Sequence, residues 1–313
     1  MDFLVDICGI TSQKTMRVKP WLFIVLASFS IIACKQNPPQ LKPVAASDTA
    51  GRTAVPPKDP VPERVQINYH FEKKAAWKLK DSFEGNSHKD IIAAINRVDV
   101  QHLPRLDSFL VPDQYLEDVK AYMPFPAAAP SIKDIRKIIF FSYPTQAFAA
   151  YENGNLVISG PTNMGKKASP TPTGLFFCNW KAKETRSTVD NEWILKWNFN
   201  VSNFGGVGFH QYDLPGYPAS HSCMRLWAEQ AQFLYGWADQ WKLQDGKVVL
   251  KGTPVIVYGA YPFGKPRPWF VLAGDGKALD ISDAALSEMV NPHREEILAA
   301  QNAREAQAVP AVQ

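Results

Sequence analysis

From Lys137 onward the apolar residues come in short runs separated by polar, Gly- and Pro-bearing breaks, the pattern of a chain that folds into sheets. "KIIFF" is apolar enough for a buried strand. "QAFAAYENGNLVIS" (146–159) predicts a hairpin, with Asn153-Gly154 supplying the positive φ angles of a tight turn. "GKKASPTPTGLFFC" (165–178) is a proline-bearing loop running into a strand, and "EWILKWNF" and "GTPVIVYG" predict further strands. One stretch has a clear helical period: in "LWAEQAQFLYGWADQW" (226–241), Trp227, Ala231, Leu234, Ala238 and Trp241 share a face. The expected fold is therefore mainly β with one or two helices.

The region 64–134 is patterned differently and predicts a small α/β unit. "HKDIIAAINRVD" places apolar residues at 91, 92 and 95 on one helical face, and "LPRLDSFLVPD" follows as a turn and short strand. "MPFPAAAP" (123–130) then breaks regular structure. The helix ending in Asn and the strand ending in Pro resemble the second half of a LysM carbohydrate-binding module. No first half is recognisable in "YHFEKKAAWKLKDSFEGN", and a plain packing subdomain is the other reading. Residues 263–313 form a C-terminal extension, in which 278–307 predicts a helix and polar tail without a functional motif.

The N-terminus bears on location. "MRVKPWLFIVLASFSIIAC" (16–34) begins with Arg17 and Lys19 and continues apolar from Trp21 to Ala33. That run falls short of the ~20 residues of a membrane span and suits a signal-peptide core. Its end, "IIAC", resembles the bacterial lipoprotein cleavage box, so that residues 1–34 read as a signal peptide with lipobox, which implies cleavage before Cys34 and lipid on the Cys34 sulfur. Asp2 and Asp6 are unusual in such a start, and Met16 opens a better one. An uncleaved signal anchor is the alternative, and either implies export. Lys35, where inner-membrane retention is associated with Asp, points to the outer membrane. Residues 35–63, with seven prolines and no aromatic residue, predict an extended linker.

With 313 residues, 46% of them hydrophobic, the chain can bury a sizeable core. Its formal charge of +4 is not gathered into a basic arm, so no nucleic-acid partner is expected. Once Cys8 and Cys34 are set aside, Cys178 and Cys223 remain. Cys178 lies in the apolar "GLFFCNW" and predicts a buried small hydrophobe. Cys223 lies in "SHSCMR", after Ser220, His221 and Ser222 and before Arg225, with a helix close behind. A cation and a helix N-terminus both favour thiolate. His210 and His221, two of the six histidines, fall within thirteen residues of this thiol. A cysteine served by a histidine base is an acyl-transfer pair. Three other readings stay open on spacing alone: a 178–223 disulfide, a zinc site lacking its fourth ligand, or a polar patch in a binding domain.

"FHQYDLPGYPASHSCMRLWAEQAQFLYGW" (209–237) resembles the signature of the L,D-transpeptidases: a His, a variable loop, Ser-His-Gly-Cys-aliphatic-Arg, and a helix ending near Leu-Tyr. The hairpin, "TPTG" at 171–174 and "GTPVIV" at 252–257 match that family in order, so the resemblance spans about residues 137–260. It implies a β-sandwich catalytic domain over 135–262. It also implies Cys223 as nucleophile, His210 as general base oriented by the Gln211 carbonyl, and His221 as a site-lining residue. Backbone N–H groups of Ser222 and Cys223 would form the oxyanion hole, with Ser220 and Arg225 in support. Ser222 departs from the usual Gly, and a positive φ there would cost about 1 kcal/mol or more. Gln211 also stands where Gly is common, and Gln230 where Asp is frequent. The implied partners are peptidoglycan stem peptides, donor tetrapeptide and acceptor amine, with the membrane reached through the lipid anchor. Neither a metal nor an organic cofactor is implied, because side chains alone supply the covalent route.

Overall fold

The apolar run at 137–141 is explained by its place in the sheet. In the computed structural model, which describes residues 65–74, 86–187 and 192–308, it is a middle strand covered on both faces. The strands are β1 (Tyr69–Lys73), β2 (Ser108–Pro112), β3 (Lys137–Ser142), β4 (Ala147–Glu152), β5 (Asn155–Pro161), β6 (Gly174–Phe177) and β7 (Lys181–Arg186). They continue with β8 (Ile194–Ser202), β9 (Val207–Gln211), β10 (Met224–Leu226), β11 (Lys242–Gln244), β12 (Lys247–Leu250) and β13 (Pro254–Tyr258). The helices are α1 (Asn86–Asn96), α2 (Ala228–Trp237), α3 (Asp283–Val290) and α4 (Arg294–Ala308). One sheet has the order β5-β4-β3-β13-β6, with β3 and β13 parallel. The other runs β10-β9-β8-β7, with β9 and β10 parallel. The hairpin turn forms as predicted, Asn153 at φ 49° and Gly154 at φ 76°.

Alternation along β3 divides two cores. Ile139 and Phe141 face the second sheet and α2, meeting Phe199, Phe209, Met224, Ala231 and Leu234. Ile138 and Phe140 face the opposite way, onto Ile91, Ile95 and Leu110 from the N-terminal unit and Trp269, Leu286 and Ile297 from the C-terminal segment. All the described residues lie within one compact unit, Val55–Gln313. The α/β region is built as antiparallel β1–β2 beside α1, and β1 occupies the stretch whose sequence gave no element. Asn96, fully buried at the end of α1, donates to Ile92 O and Leu110 O, both at 2.8 Å, and accepts from Leu110 N at 2.9 Å. Its amide thus joins the helix end to β2.

Three local expectations are corrected. The second long helix stops at Trp237, so Trp241 lies beyond it rather than on its face. The C-terminal stretch is two helices packed on the core, not one helix and a free tail. Helix α2 begins at Ala228, and β10 intervenes between it and Cys223. Its N-terminus is therefore not at the thiol, since a helix dipole acts only within its first turn. The signal segment, Cys34 and the linker lie outside the described residues.

Candidate functional site

Strand phase gathers the predicted side chains. The parallel register pairs Met224 with Phe209 and Arg225 with His210. Met224 and Phe209 point into the apolar core, so Cys223, Arg225 and His210 project from the other face, because side chains alternate along a strand. Together with Ser220 and His221 they line one cleft, which Trp180, Arg186, Trp193, Asn198, Asn200 and Tyr212 complete. Among the described residues that line it there is no Asp or Glu.

His210 is buried, and its Nδ1 lies 2.9 Å from the Gln211 carbonyl. A carbonyl only accepts, so the proton sits on Nδ1 and the lone pair on Nε2. Burial holds the imidazole down to about 4, with the Arg225 charge adding to it and the Gln211 hydrogen bond opposing it. It is thus neutral near pH 7 and able to accept a proton. The Cys223 thiol donates to Gly206 O at 3.5 Å. Burial pushes this thiol up, against a lowering by a backbone hydrogen bond and by Arg225. The expected depression of the thiol is therefore corrected: Arg225 acts in the foreseen direction, but desolvation outweighs it and no helix end assists. Arg225 itself lies over the Tyr212 ring, 4.5 Å from its centroid, and donates to Asp213 O at 3.3 Å.

The loop carrying the cysteine is braced from behind. Ser220 N donates to Met164 O at 3.1 Å, Lys166 N to Ser220 O at 2.9 Å, and Ser220 Oγ to Cys223 O at 2.5 Å. Ser222 adopts φ 81°, the left-handed region in which Gly is usual, and donates through Oγ to Ser169 O at 3.3 Å. The condition for strain set by the sequence is met. His221 Nε2 lies 2.7 Å from Lys166 Nζ. The intervening loop is held by the α/β region: Asp99 N donates to Leu214 O at 3.0 Å, and Leu214 N donates to Asp99 Oδ2 at 2.7 Å. His102 Nδ1 also approaches Leu214 O, at 3.0 Å.

Sequence reasoning did not find Lys166, Tyr212, Asp99 or His102. Each acts across a distance in sequence that no local pattern encodes. Cys178 is fully buried and Cys223 half-buried; both thiols are free, so no bridge joins them. Among the described residues no group of three or more His, Cys, Asp or Glu is placed to hold a metal ion.

Fold and cleft define a mainly β protein, built on two larger sheets with two two-stranded ones beside them, and a cysteine–histidine site. Residues 136–257 match the family model YkuD, the L,D-transpeptidase catalytic domain, and the assignment covers that segment, which contains both His210 and Cys223. No curated protein matches the chain. Among solved structures, it is similar to an L,D-transpeptidase from Stackebrandtia nassauensis at 22% identity, over 40% of this chain and 57% of that one, with a TM-score of 0.34. An L,D-transpeptidase from Mycobacterium smegmatis is 21% identical over 40% of this chain and 59% of its own, with a TM-score of 0.33. The chain thus spans just over half the length of these structures.

Proposed function

We propose that this protein is an exported, cysteine-dependent L,D-transpeptidase that forms 3→3 crosslinks in peptidoglycan. The observation that carries the proposal is the common face of Cys223, His210 and Arg225, with the His210 ring fixed by its own neighbour's carbonyl. His210 Nε2 takes the thiol proton as sulfur attacks the carbonyl of the third stem residue. The tetrahedral oxyanion is met by the backbone N–H groups of Ser222 and Cys223, a contribution of a few kcal/mol. Collapse returns the proton to the departing D-alanine nitrogen and leaves a thioester on Cys223. An amine of a second stem attacks that thioester, gives up its proton through His210, and restores the thiol. Removal of Cys223 from its Gly206 contact accompanies substrate entry. The described lining, with Arg186 and Arg225 and no carboxylate, suits a donor that carries carboxylates of its own. Lipidation at Cys34 would hold the enzyme at the envelope, facing the periplasm, with the linker giving it reach.

The test compares the protein with Cys223→Ala on purified disaccharide-tetrapeptide, reading product masses. Cys223-dependent loss of D-alanine with a dimeric product is expected. A tripeptide monomer would make it an L,D-carboxypeptidase, with water as acceptor. Unchanged masses from folded, reduced protein would favour a non-catalytic cell-wall-binding lipoprotein.

A further inference from the structure

His221 has a partner that the reaction as described does not use. The Lys166 side chain reaches its Nε2 at 2.7 Å. A lysine ammonium donates and cannot accept, so Nε2 must supply a lone pair and the ring proton must sit on Nδ1. That Nδ1 is closed off from solvent and has no hydrogen-bond partner among the described residues. A buried donor left unpaired costs about 1–3 kcal/mol, and such a group in a working cleft calls for an explanation.

Lys166 is not a loosely placed surface lysine. Its N–H donates to Ser220 O at 2.9 Å, and its carbonyl accepts from Ser169 N at 2.9 Å. The preceding Gly165 donates to Thr171 Oγ1 at 2.9 Å and accepts from the Tyr143 hydroxyl at 2.5 Å. A Cβ at Gly165 would lie 2.2 Å from Ser169 O, so the turn closes only with glycine there. The lysine backbone is thereby tied to the segment that carries Cys223.

We infer that Lys166 is a positioning residue: it holds His221 as the neutral Nδ1–H tautomer and so fixes the ring in the wall of the cleft that receives the peptide. The role for substrate rests on the function proposed above; the tautomer does not. The charged and titratable groups around the ring act consistently. Lys166 from the loop after β5 and Arg225 from β10 both disfavour a second proton on His221, adding to the effect of burial. Cys223, His210, Tyr212 and Arg186 line the same cleft, and the Trp193 ring lies 5.7 Å from that of His221. Among the described residues lining the cleft no carboxylate is present to pull a proton onto Nε2. Removal of the lysine charge frees Nε2, lets the two tautomers exchange, and makes the imidazolium easier to form.

The experiment uses the full chain with ¹⁵N-labelled histidine, as wild type, Lys166→Met and Lys166→Arg. Ring-nitrogen shifts are followed against pH beside steady-state turnover of disaccharide-tetrapeptide. Wild type should show His221 protonated on Nδ1, and Lys166→Met a mixed tautomer whose protonation midpoint is shifted to higher pH. Its kcat should fall about tenfold or more, each tenfold being about 1.4 kcal/mol of barrier, with KM little changed and the acid limb of kcat displaced the same way. Lys166→Arg should restore most of the rate. An Nε2–H tautomer in wild type overturns the inference. So does a Lys166→Met enzyme with wild-type turnover and pH profile. If wild type does not turn over the peptide at all, the proposed function fails, while the spectra still decide whether Lys166 sets the tautomer.

Discussion

Lowering the pH tests the burial of His210 directly. The ring is buried and held down to about 4, against an ordinary value of 6.5. Between those two values the unfolded chain binds a proton here that the folded chain refuses. Stability therefore rises with pH across this window and is lost as pH falls from 6.5 toward 4. At about 1.4 kcal/mol for each pH unit of the interval, the loss attributable to this ring is about 3 kcal/mol. That is a large share of the roughly 5–15 kcal/mol of a typical domain. Asp99, whose carboxyl is raised chiefly by burial, pulls the opposite way, so the measurement must be differential. Urea unfolding followed by the fluorescence of the nine tryptophans, for wild type and His210→Gln at half-unit pH steps, cancels everything common to both. The wild-type curve should fall more steeply below pH 6.5, with the gap between the two changing by about 3 kcal/mol by pH 4. Parallel curves would show that the imidazole is not desolvated in the folded protein, and the assignment of a neutral proton acceptor would go with it.

Other consequences are quicker to check. The alkylation rate of Cys223 should reach half its plateau at a pH above that of an ordinary thiol, and Arg225→Gln should move it higher still, because a stabilising cation is lost. Pseudo-first-order labelling with iodoacetamide reads both shifts. Ser222→Gly should leave stability level or raise it by up to about 1 kcal/mol, since relief of the left-handed φ is offset by chain entropy and a weak hydroxyl contact. Ser222→Val should lose about 2 kcal/mol or more, for a β-branched side chain is poorly tolerated there; urea midpoints compare the three. Asn96→Ala should cost about 2–4 kcal/mol by the same assay, as it strands both backbone groups of Leu110.

How far the fold was legible depends on the range of the interaction that shaped each part. Asn153-Gly154 could be placed because its turn is decided by two residues' own φ preferences. The apolar face of α1 at Ile91, Ile92 and Ile95 was readable because helical periodicity is local, and all three are buried. Strand β9 was not recognised as a strand, being short and Gly-bearing, although its His210 was singled out. β10 has only three residues, and its parallel partner lies across a loop, so no run of alternation announces it. The positive φ at Ser222 was anticipated only as a condition attached to a missing Gly. The thiol's electrostatics are not legible in the sequence for a related reason: nearness along the chain to helix α2 is not nearness in space to its N-terminus, because β10 intervenes.

The cleft is supported from outside the segment that the family model covers. One face of the larger sheet, with Ile138, Phe140, Ala149, Tyr151 and Ile256, is covered by side chains from α1, β2, α3 and α4. Residues 136–257 alone would leave that face open to water, and an apolar sheet face of this kind is an aggregation surface rather than a stable boundary. The same flanking unit grips the chain between the histidine and the cysteine. Leu214 exchanges hydrogen bonds with Asp99, while Val98 and Pro215 form an isolated bridge. The loop that separates the two proposed reacting residues is therefore pinned at its middle by the α/β region, and at its end by the turn carrying Lys166. A nucleophile and base must be held within a fraction of an ångström of working geometry. In this chain the rigidity that would achieve it comes from contacts that cross the edges of residues 136–257, which ties the α/β region to the candidate site as part of its frame.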